Sequence, residues 1–538
     1  MIAPLTEIGR LANAGFTLAR YDVKVPPALA GSIPAPVHWA GRLARFLSPR
    51  QTKDNLSTDN AHKLADALTA LGPAYIKLGQ FLATRPDIIG IELADELRIL
   101  QDKLPPFPLD EAKREVEAEL GRPLASVFAE FSAPVAAASI AQVHKVRRVA
   151  PAEGESEWVA VKVLRPGVEK AFAKDLAAFA WAARMIECFS PSSRRLEPVK
   201  LVETLAASVR LELDLRLEAA AAAEIAECTQ ADDGFVVPKI DWRLTSRRML
   251  TAPWVDGTRL DDRAALDAAG FDRPALAGLL LSVFLKQALR DGVFHADMHP
   301  GNLFVVREGA DRHPAIVAVD YGIVGRLDKR MQRFMAETLY GFITRDYRRV
   351  AAVHFEVGFV PSSHGIDEFA QALRSIGEPV FGRAAAEISM ARLLAQLFEV
   401  TRLFDMRLQP QLVLLQKTMV VVEGVARSLD PALDIWQTAK PVVEAWMTRE
   451  LGPEARLQEA TEAAFSLVRV AAKAPLVLEK MEALASQIAP SPDGSGVRLH
   501  PDTVRAIARE EARTTRHARV ALWVAAAALA VIAIAALT

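Results

Sequence analysis

The chain has 538 residues, a length suited to two large lobes with extensions or about three or four ordinary domains. Lysine and arginine total 65 against 66 for aspartate and glutamate, so the global basic surface of a nucleic-acid binder is excluded and no nucleic-acid partner is expected. Cys188 and Cys228 form no CxxC pair, which excludes a disulfide framework and a structural zinc site and fits a reducing compartment.

The opening MIAPLTEIGRLANAGFTLARYDV has no charged segment followed by an apolar one, so no secretory signal is read and the body is placed in the cytoplasm. Residues 1–104 read as a helical extension, with an alanine and leucine pattern from Asp59 to Gly72 and a second helix from Pro73 to Thr84. On that second helix Lys77 and Gln80 are three apart and share a face; alone they read as a solvated pair. Proline-rich KLPPFP, Lys103 to Pro108, reads as a break and linker. Two strand-like runs follow, SIAQVHKVRRV at 139–149 and EWVAVKVLR at 157–165, joined by a turn in the manner of a hairpin. One long helix is expected from Pro198 to about Cys228, then short strands at Phe235 to Val237 and Arg248 to Trp254. Past Asp261 the pattern is helical except for LFVV, 303–306, and AIVAVD, 315–320.

At the C-terminus VALWVAAAALAVIAIAALT, Val520 to Thr538, carries no charge and is just long enough for a bilayer span. Arg505, Arg509, Arg513, Arg516 and Arg519 precede it, which predicts a tail anchor with the arginines on the cytoplasmic side. The alternative is a buried or interfacial hairpin. The expected fold class is therefore α+β, two-lobed, with a helical N-terminal extension and a C-terminal transmembrane helix. Its divisions are 1–104 for the extension, 105–257 for a mixed N-lobe, 258–470 for a helical C-lobe, 471–518 for a juxtamembrane segment and 519–538 for the anchor.

The chemistry concentrates in FHADMHPGNLFVV, Phe294 to Val306. His295, Asp297 and His299 alternate and could share a metal on an extended strand, but no further His, Asp or Glu cluster completes a dinuclear site. Asp297 and Asn302, five apart, lead into the strand LFVV, and AIVAV ends at Asp320-Tyr321-Gly322. Two strand ends then bring two carboxylates and an amide toward one magnesium ion and a triphosphate. Lys162 lies in the apolar strand VAVKVL; alone it reads as a surface-facing residue.

In that order the three motifs resemble those of the protein-kinase-like fold: VAVK is similar to its lysine strand, HADMHPGN to its catalytic loop, and DYG to its magnesium-binding turn. The resemblance narrows to the UbiB family of atypical kinase-like ATPases on three further stretches. They are the KxGQ motif at Lys77, Gly79 and Gln80, the alanine-rich loop at Ala136, Ala137, Ala138 and Ser139, and the ExD motif at Glu212 and Asp214. LDPALDIWQTAKPVVEAWM, Leu429 to Met447, adds to it, and the likeness covers most of residues 5–450.

The resemblance implies Mg2+ and ATP as cofactors, with Asp297 as catalytic base or water-orienting group and Asn302 and Asp320 as metal ligands. It also implies Lys162 on the phosphates and Glu218 orienting it, while Glu212 and Asp214 act with the Lys77 and Gln80 helix as a regulatory element. Glu212 and Glu218 are six apart, about 120° from sharing a helical face, so one residue does not do both jobs. The alanine-rich loop stands where kinases use glycine for close approach to phosphate, so a different nucleotide pose is expected. Met249 to Gly257 is the expected hinge, its backbone reading adenine. No activation segment with an APE-like anchor follows Gly322, so a conventional protein kinase is not expected. The family implies a role in ubiquinone biosynthesis at the inner membrane. Membrane lipids, quinone precursors and other proteins of that route are the implied partners, and the oligomeric state, a homodimer among the options, is left open by the sequence. The rival readings are a small-molecule phosphotransferase of the aminoglycoside or choline type, whose loop HGDLHPGN is similar, and a nucleotide-binding pseudokinase scaffold.

Overall fold

The computed structural model describes residues 5–21, 23, 60–83, 97, 100, 104–151, 153–189, 197–308, 313–378, 400, 403–406 and 409–451. Helix α1 spans Leu5–Arg20, α2 Asn60–Leu71 and α3 Pro73–Ala83. Gly72 between the last two sits at φ 104, a conformation that needs glycine, and Pro73 starts the new helix with its fixed φ. After α4, Leu109–Leu120, come β1 Phe128–Ala137, β2 Ala141–Arg148 and β3 Trp158–Leu164, then α5 Val168–Phe189, α6 Pro198–Glu212 and α7 Leu215–Thr229. The expected single helix from Pro198 is thus two. Asp214 breaks it: its backbone is extended at φ -127 and ψ 95, and its carboxylate accepts the Arg216 N–H as the cap of α7.

Strands β4 Phe235–Val236, β5 Met249–Pro253 and β6 Thr258–Arg259 lead to helices α8 Arg263–Ala268 and α9 Arg273–Leu285. Then come β7 Val293–His295, β8 Leu303–Glu308, β9 His313–Ala318 and β10 Val324–Arg326. The chain continues with α10 Lys329–Ile343, α11 Tyr347–Glu356, α12 Ile366–Gly377, α13 Pro410–Leu429 and α14 Ile435–Leu451. The chain divides into two compact units, Met1–Val442 and Val443–Thr538; of the second, only the end of α14 is described.

The first sheet runs β1-β2-β3-β5, all antiparallel, with Lys162 opposite Val143 on β2 and Leu250 on β5. One face of β3, Val159, Val161 and Val163, is fully buried against Val116 of α4, Phe128 and Val146. The other face carries Trp158, Ala160 and Lys162 and is only half-buried. In the second half, β4-β9-β8-β6 form one sheet and β7 pairs with β10 as a ribbon. Helix α9 is buried on several sides, with Leu276, Leu280, Leu281 and Phe284 all at 1% exposure or less, as its nearly continuous apolar sequence requires.

Strand β1 and the β7–β10 ribbon were not expected. The first is Ala- and Pro-containing with register shifts, and the others are three residues long, too short for an alternation to register. One further expectation is corrected: among the described residues no helix is long and apolar enough to cross a membrane, so the transmembrane helix of the expected fold class is not among the described elements. The stretch that carried that expectation, 519–538, lies outside the described residues, as do 452–518.

Candidate functional site

Lys162 is not a surface lysine. Its Nζ donates to both oxygens of Glu218, at 2.7 and 2.9 Å, and to Asp320 Oδ2 at 3.2 Å. The break at Asp214 makes this possible, since it starts α7 one turn before Glu218 and aims that helix at the sheet. The Tyr321 backbone beside Asp320 also favours the ionised form of Glu218. Burial works against the charge on Lys162, but Asp320 and Glu218 overcome it and hold its pKa above the ordinary lysine value. Burial pushes the Glu218 carboxyl up. It opposes ionisation of Asp320 too, yet Lys162 and the Gly322 N–H, 3.0 Å from Oδ1, hold that carboxyl down at about 2. Two carboxylates therefore share one ammonium, and the trio attracts a further cation. Asp320 is the member able to receive it, its side chain being 43% exposed against 10% for Glu218.

Asp297 and Asn302 are brought to the same end of the structure. Ala296 and Met298 are buried on either side of Asp297, so the chain's alternation sends its carboxylate outward. Asn302 Nδ2 donates to Asp297 Oδ2 at 3.2 Å, and the Asn302 carbonyl accepts the Val319 N–H at 3.1 Å, one residue before Asp320. With Nδ2 on Asp297, Oδ1 is the atom of the Asn302 amide with the chemistry of a hard oxygen ligand. An ionised carboxylate, an amide oxygen and local negative charge fit magnesium.

His295 is fully buried and is no ligand. Its Nδ1 accepts the Asp297 N–H at 3.1 Å, which makes Nε2 the protonated nitrogen. Burial holds it below the ordinary histidine pKa, so it is neutral. His299 turns elsewhere, its Nδ1 accepting the Gly301 N–H at 3.2 Å. The metal triad of His295, Asp297 and His299 is thereby taken apart. Among the described residues no group of three or more His, Cys, Asp or Glu is placed to hold a metal.

The alanine stretch is a tight hairpin rather than an open loop. Ala136 and Ala137 end β1 opposite Val143 and Gln142, and the Ala138 N–H donates to the Ala141 carbonyl at 2.8 Å. Ser139 and Ile140 are the two-residue tip and both are buried. Arg165 clamps the tip, with Nε and Nη2 on the Ala138 carbonyl at 3.1 and 2.9 Å and Nη2 on the Pro105 carbonyl at 2.8 Å. The expected linker is thus strapped to the hairpin, for Phe107 N–H also donates to Gln142 Oε1 at 3.0 Å.

Lys77 Nζ lies 2.7 Å from Glu212 Oε2, both side chains largely buried, so helix α3 is latched to the end of α6. Gln80 lies half-buried on the same helix. Asp214 does not join the latch; besides its cap it holds Arg216, at 2.6 and 2.9 Å, which with the helix cap keeps its pKa down. Gly79 is closely packed: a Cβ there would stand 2.3 Å from Leu100 Cδ1 and 2.9 Å from Leu68 Cδ1, so those leucine ends would have to shift.

Residues 99–354 match the ABC1 atypical kinase-like domain and residues 373–434 the UbiB helical domain. Proteins named probable protein kinase UbiB are 40% identical in Xanthomonas axonopodis pv. citri over 457 residues, covering 85% of this chain and 81% of the relative. In Marinobacter nauticus the figures are 39% over 451 residues, 84% and 80%; in Aeromonas hydrophila they are 40% over 418, 78% and 76%. The chain belongs to the UbiB family. Among solved structures, that of Rv3197 with erythromycin from Mycobacterium tuberculosis covers 71% of this chain and 94% of its own, at 22% identity and TM-score 0.46.

In this UbiB-family chain Lys162, Glu218, Asp297, Asn302 and Asp320 all lie in the first matched segment, and Lys77 and Gln80 precede both segments. Sequence reasoning missed the half-buried sheet face beside Lys162, on which Val143, Ala160 and Ala252 lie across β2, β3 and β5. Strand register reveals it: Val143 stands opposite Lys162, and Ala160 opposite Ala252 two pairs further on.

Proposed function

We propose that the protein is a kinase-like ATPase that binds MgATP and serves ubiquinone biosynthesis, with water or a quinone-precursor lipid as phosphoryl acceptor. The observation that carries this reading is Lys162 Nζ shared between Glu218 and Asp320, on the half-buried face of the sheet that also carries the small side chains of Ala160 and Ala252. Adenine lies against that face, with the backbone after β5 reading its edge. Lys162 holds the α/β-phosphates as a point charge and Glu218 keeps it aimed. Asp320 and Asn302 hold the magnesium, which when bound neutralises charge on the phosphate oxygens. The Ala138–Ala141 hairpin covers the phosphates by shape, because the Ala138 N–H is already spent on Ala141. Asp297 accepts the proton of the attacking hydroxyl, steadied by Asn302 and by neutral His295.

The acceptor reading rests on the family resemblance together with the missing activation segment past Gly322, although the relatives are named protein kinases. The Lys77–Glu212 latch weighs against the aminoglycoside or choline type, which lacks such an extension. Phosphate release from MgATP by the purified chain, in liposomes with and without a quinone-head-group phenol, tests the proposal. Turnover that rises with the phenol and falls at least a hundredfold in Asp297→Asn is expected, a loss within the usual range for a proton-transfer group. Equal rates in the two proteins would remove Asp297 from the chemistry and leave a nucleotide-binding scaffold.

A further inference from the structure

The peptide unit that carries Asp297 is held at both ends. Its N–H, on Asp297, donates to His295 Nδ1 at 3.1 Å. Its carbonyl, on Ala296, accepts from Thr418 Oγ1 at 3.0 Å, across 122 residues of chain. Thr418 belongs to α13, in the segment matching the UbiB helical domain rather than the kinase-like one. It is buried at 1% exposure, and Ala296 at 6%, so no solvent replaces this hydroxyl if it is lost.

The setting gives the contact leverage. Leu415, Val422, Val425 and Ala426 seat α13 in the same core as Leu280, Phe284 and Met298, and Thr418 lies on that apolar stripe. A threonine on a helix ordinarily spends its hydroxyl on its own turn, and Thr418 does reach the Leu414 carbonyl at 2.9 Å. One donor is therefore shared between its helix and the catalytic loop. The other side of Ala296 is fixed too, its N–H donating to the Ile323 carbonyl at 3.0 Å just past Asp320-Tyr321-Gly322.

We infer that Thr418 is a positioning residue for Asp297: through the Ala296 carbonyl it sets the tilt of the peptide from which the Asp297 carboxylate projects, so the helical domain completes the catalytic loop. The inference rests on the proposed role of Asp297. It assigns no contact between Thr418 and nucleotide, so binding and turnover separate. Thr418→Val keeps the side chain's shape and removes the donor, and Thr418→Ser keeps the donor.

The test is steady-state phosphate release by the full chain in liposomes, measured across MgATP concentration, with the MgATP-induced rise in Tm as a second readout. Thr418→Val is expected to lose roughly a hundredfold in kcat, the loss that follows an ångström-scale misplacement of a reacting group, with KM and the Tm rise unchanged. Thr418→Ser is expected to stay near wild type. If Thr418→Val fails to melt cooperatively, Thr418→Ala removes the same donor without placing a methyl against the carbonyl and carries the same expectation. A wild-type kcat in the donor-less variant, or a KM that moves as far as kcat, overturns the inference while a dead Asp297→Asn leaves the role of Asp297 standing. Wild-type turnover in Asp297→Asn instead overturns both.

Discussion

Gly79 and His354 each register a local constraint on one residue. A methyl group at Gly79 meets Leu100 and Leu68 inside van der Waals distance, so Gly79→Ala costs about 1–3 kcal/mol of overpacking against a helix-propensity gain of about 1 kcal/mol. A net loss of stability, read by urea midpoint, is expected; an unchanged or raised midpoint would mean that α3 has room to shift. His354 is buried between Phe334 and Phe369, with ring centroids at 4.7 and 5.2 Å, and burial lowers its pKa to about 4. Its folded pKa is depressed, so its contribution is fully present above the ordinary value of 6.5 and is lost as pH falls toward 4. The shift is worth about 3 kcal/mol at most. Unfolding free energies of His354→Gln should therefore fall less steeply than wild type between pH 6.5 and 4. Parallel curves would show that the ring ionises freely in the folded protein.

Among the elements, the junction of α6 and α7 carries the most consequence. Its cap, Asp214, fixes where α7 starts and hence where Glu218 meets Lys162. Asp214→Ala is expected to cost about 1 kcal/mol of stability and to weaken MgATP binding, whereas Asp214→Asn, a good cap, restores the stability. Calorimetric titration beside thermal melts separates the two effects, and MgATP affinity indifferent to both changes would detach the junction from the site. This break was hidden in LELDLRLEAAAAAE because every neighbour is a strong helix former and one capping aspartate does not interrupt the periodicity. The placement of the Asp297–Asn302 loop and of the Asp320 turn was legible for the opposite reason: each couples a fixed spacing of polar residues to an apolar strand, LFVV or AIVAV, so polar spacing and secondary structure point to one place. Strand β1 was not legible, since alanine and proline carry little strand preference and its partners, Arg148 through Gln142, lie on the next strand. The hold of Thr418 on Ala296 is 122 residues long, and no local pattern encodes a contact of that range.

In the first compact unit, separate regions of the chain converge on one site. The antiparallel sheet supplies Lys162, the α6–α7 junction supplies Glu218, the second sheet supplies Asn302 and Asp320, and α13 reaches the loop that bears Asp297. The extension is tied in by Lys77 with Glu212, by the edge-to-face pair of Tyr75 and Phe179 at 4.9 Å, and by the ion pair of Arg10 with Asp175. The central claim is that this convergence is a magnesium-nucleotide site, and Asp320 is the residue on which it turns. The most direct measurement is the thermal shift produced by MgATP in wild type and in Asp320→Asn, each against its own nucleotide-free Tm. At about a hundredfold excess over Kd, bound nucleotide stabilises wild type by about 2.7 kcal/mol, and the neutral amide should abolish that gain. A shift in Asp320→Asn equal to that of wild type would contradict the account.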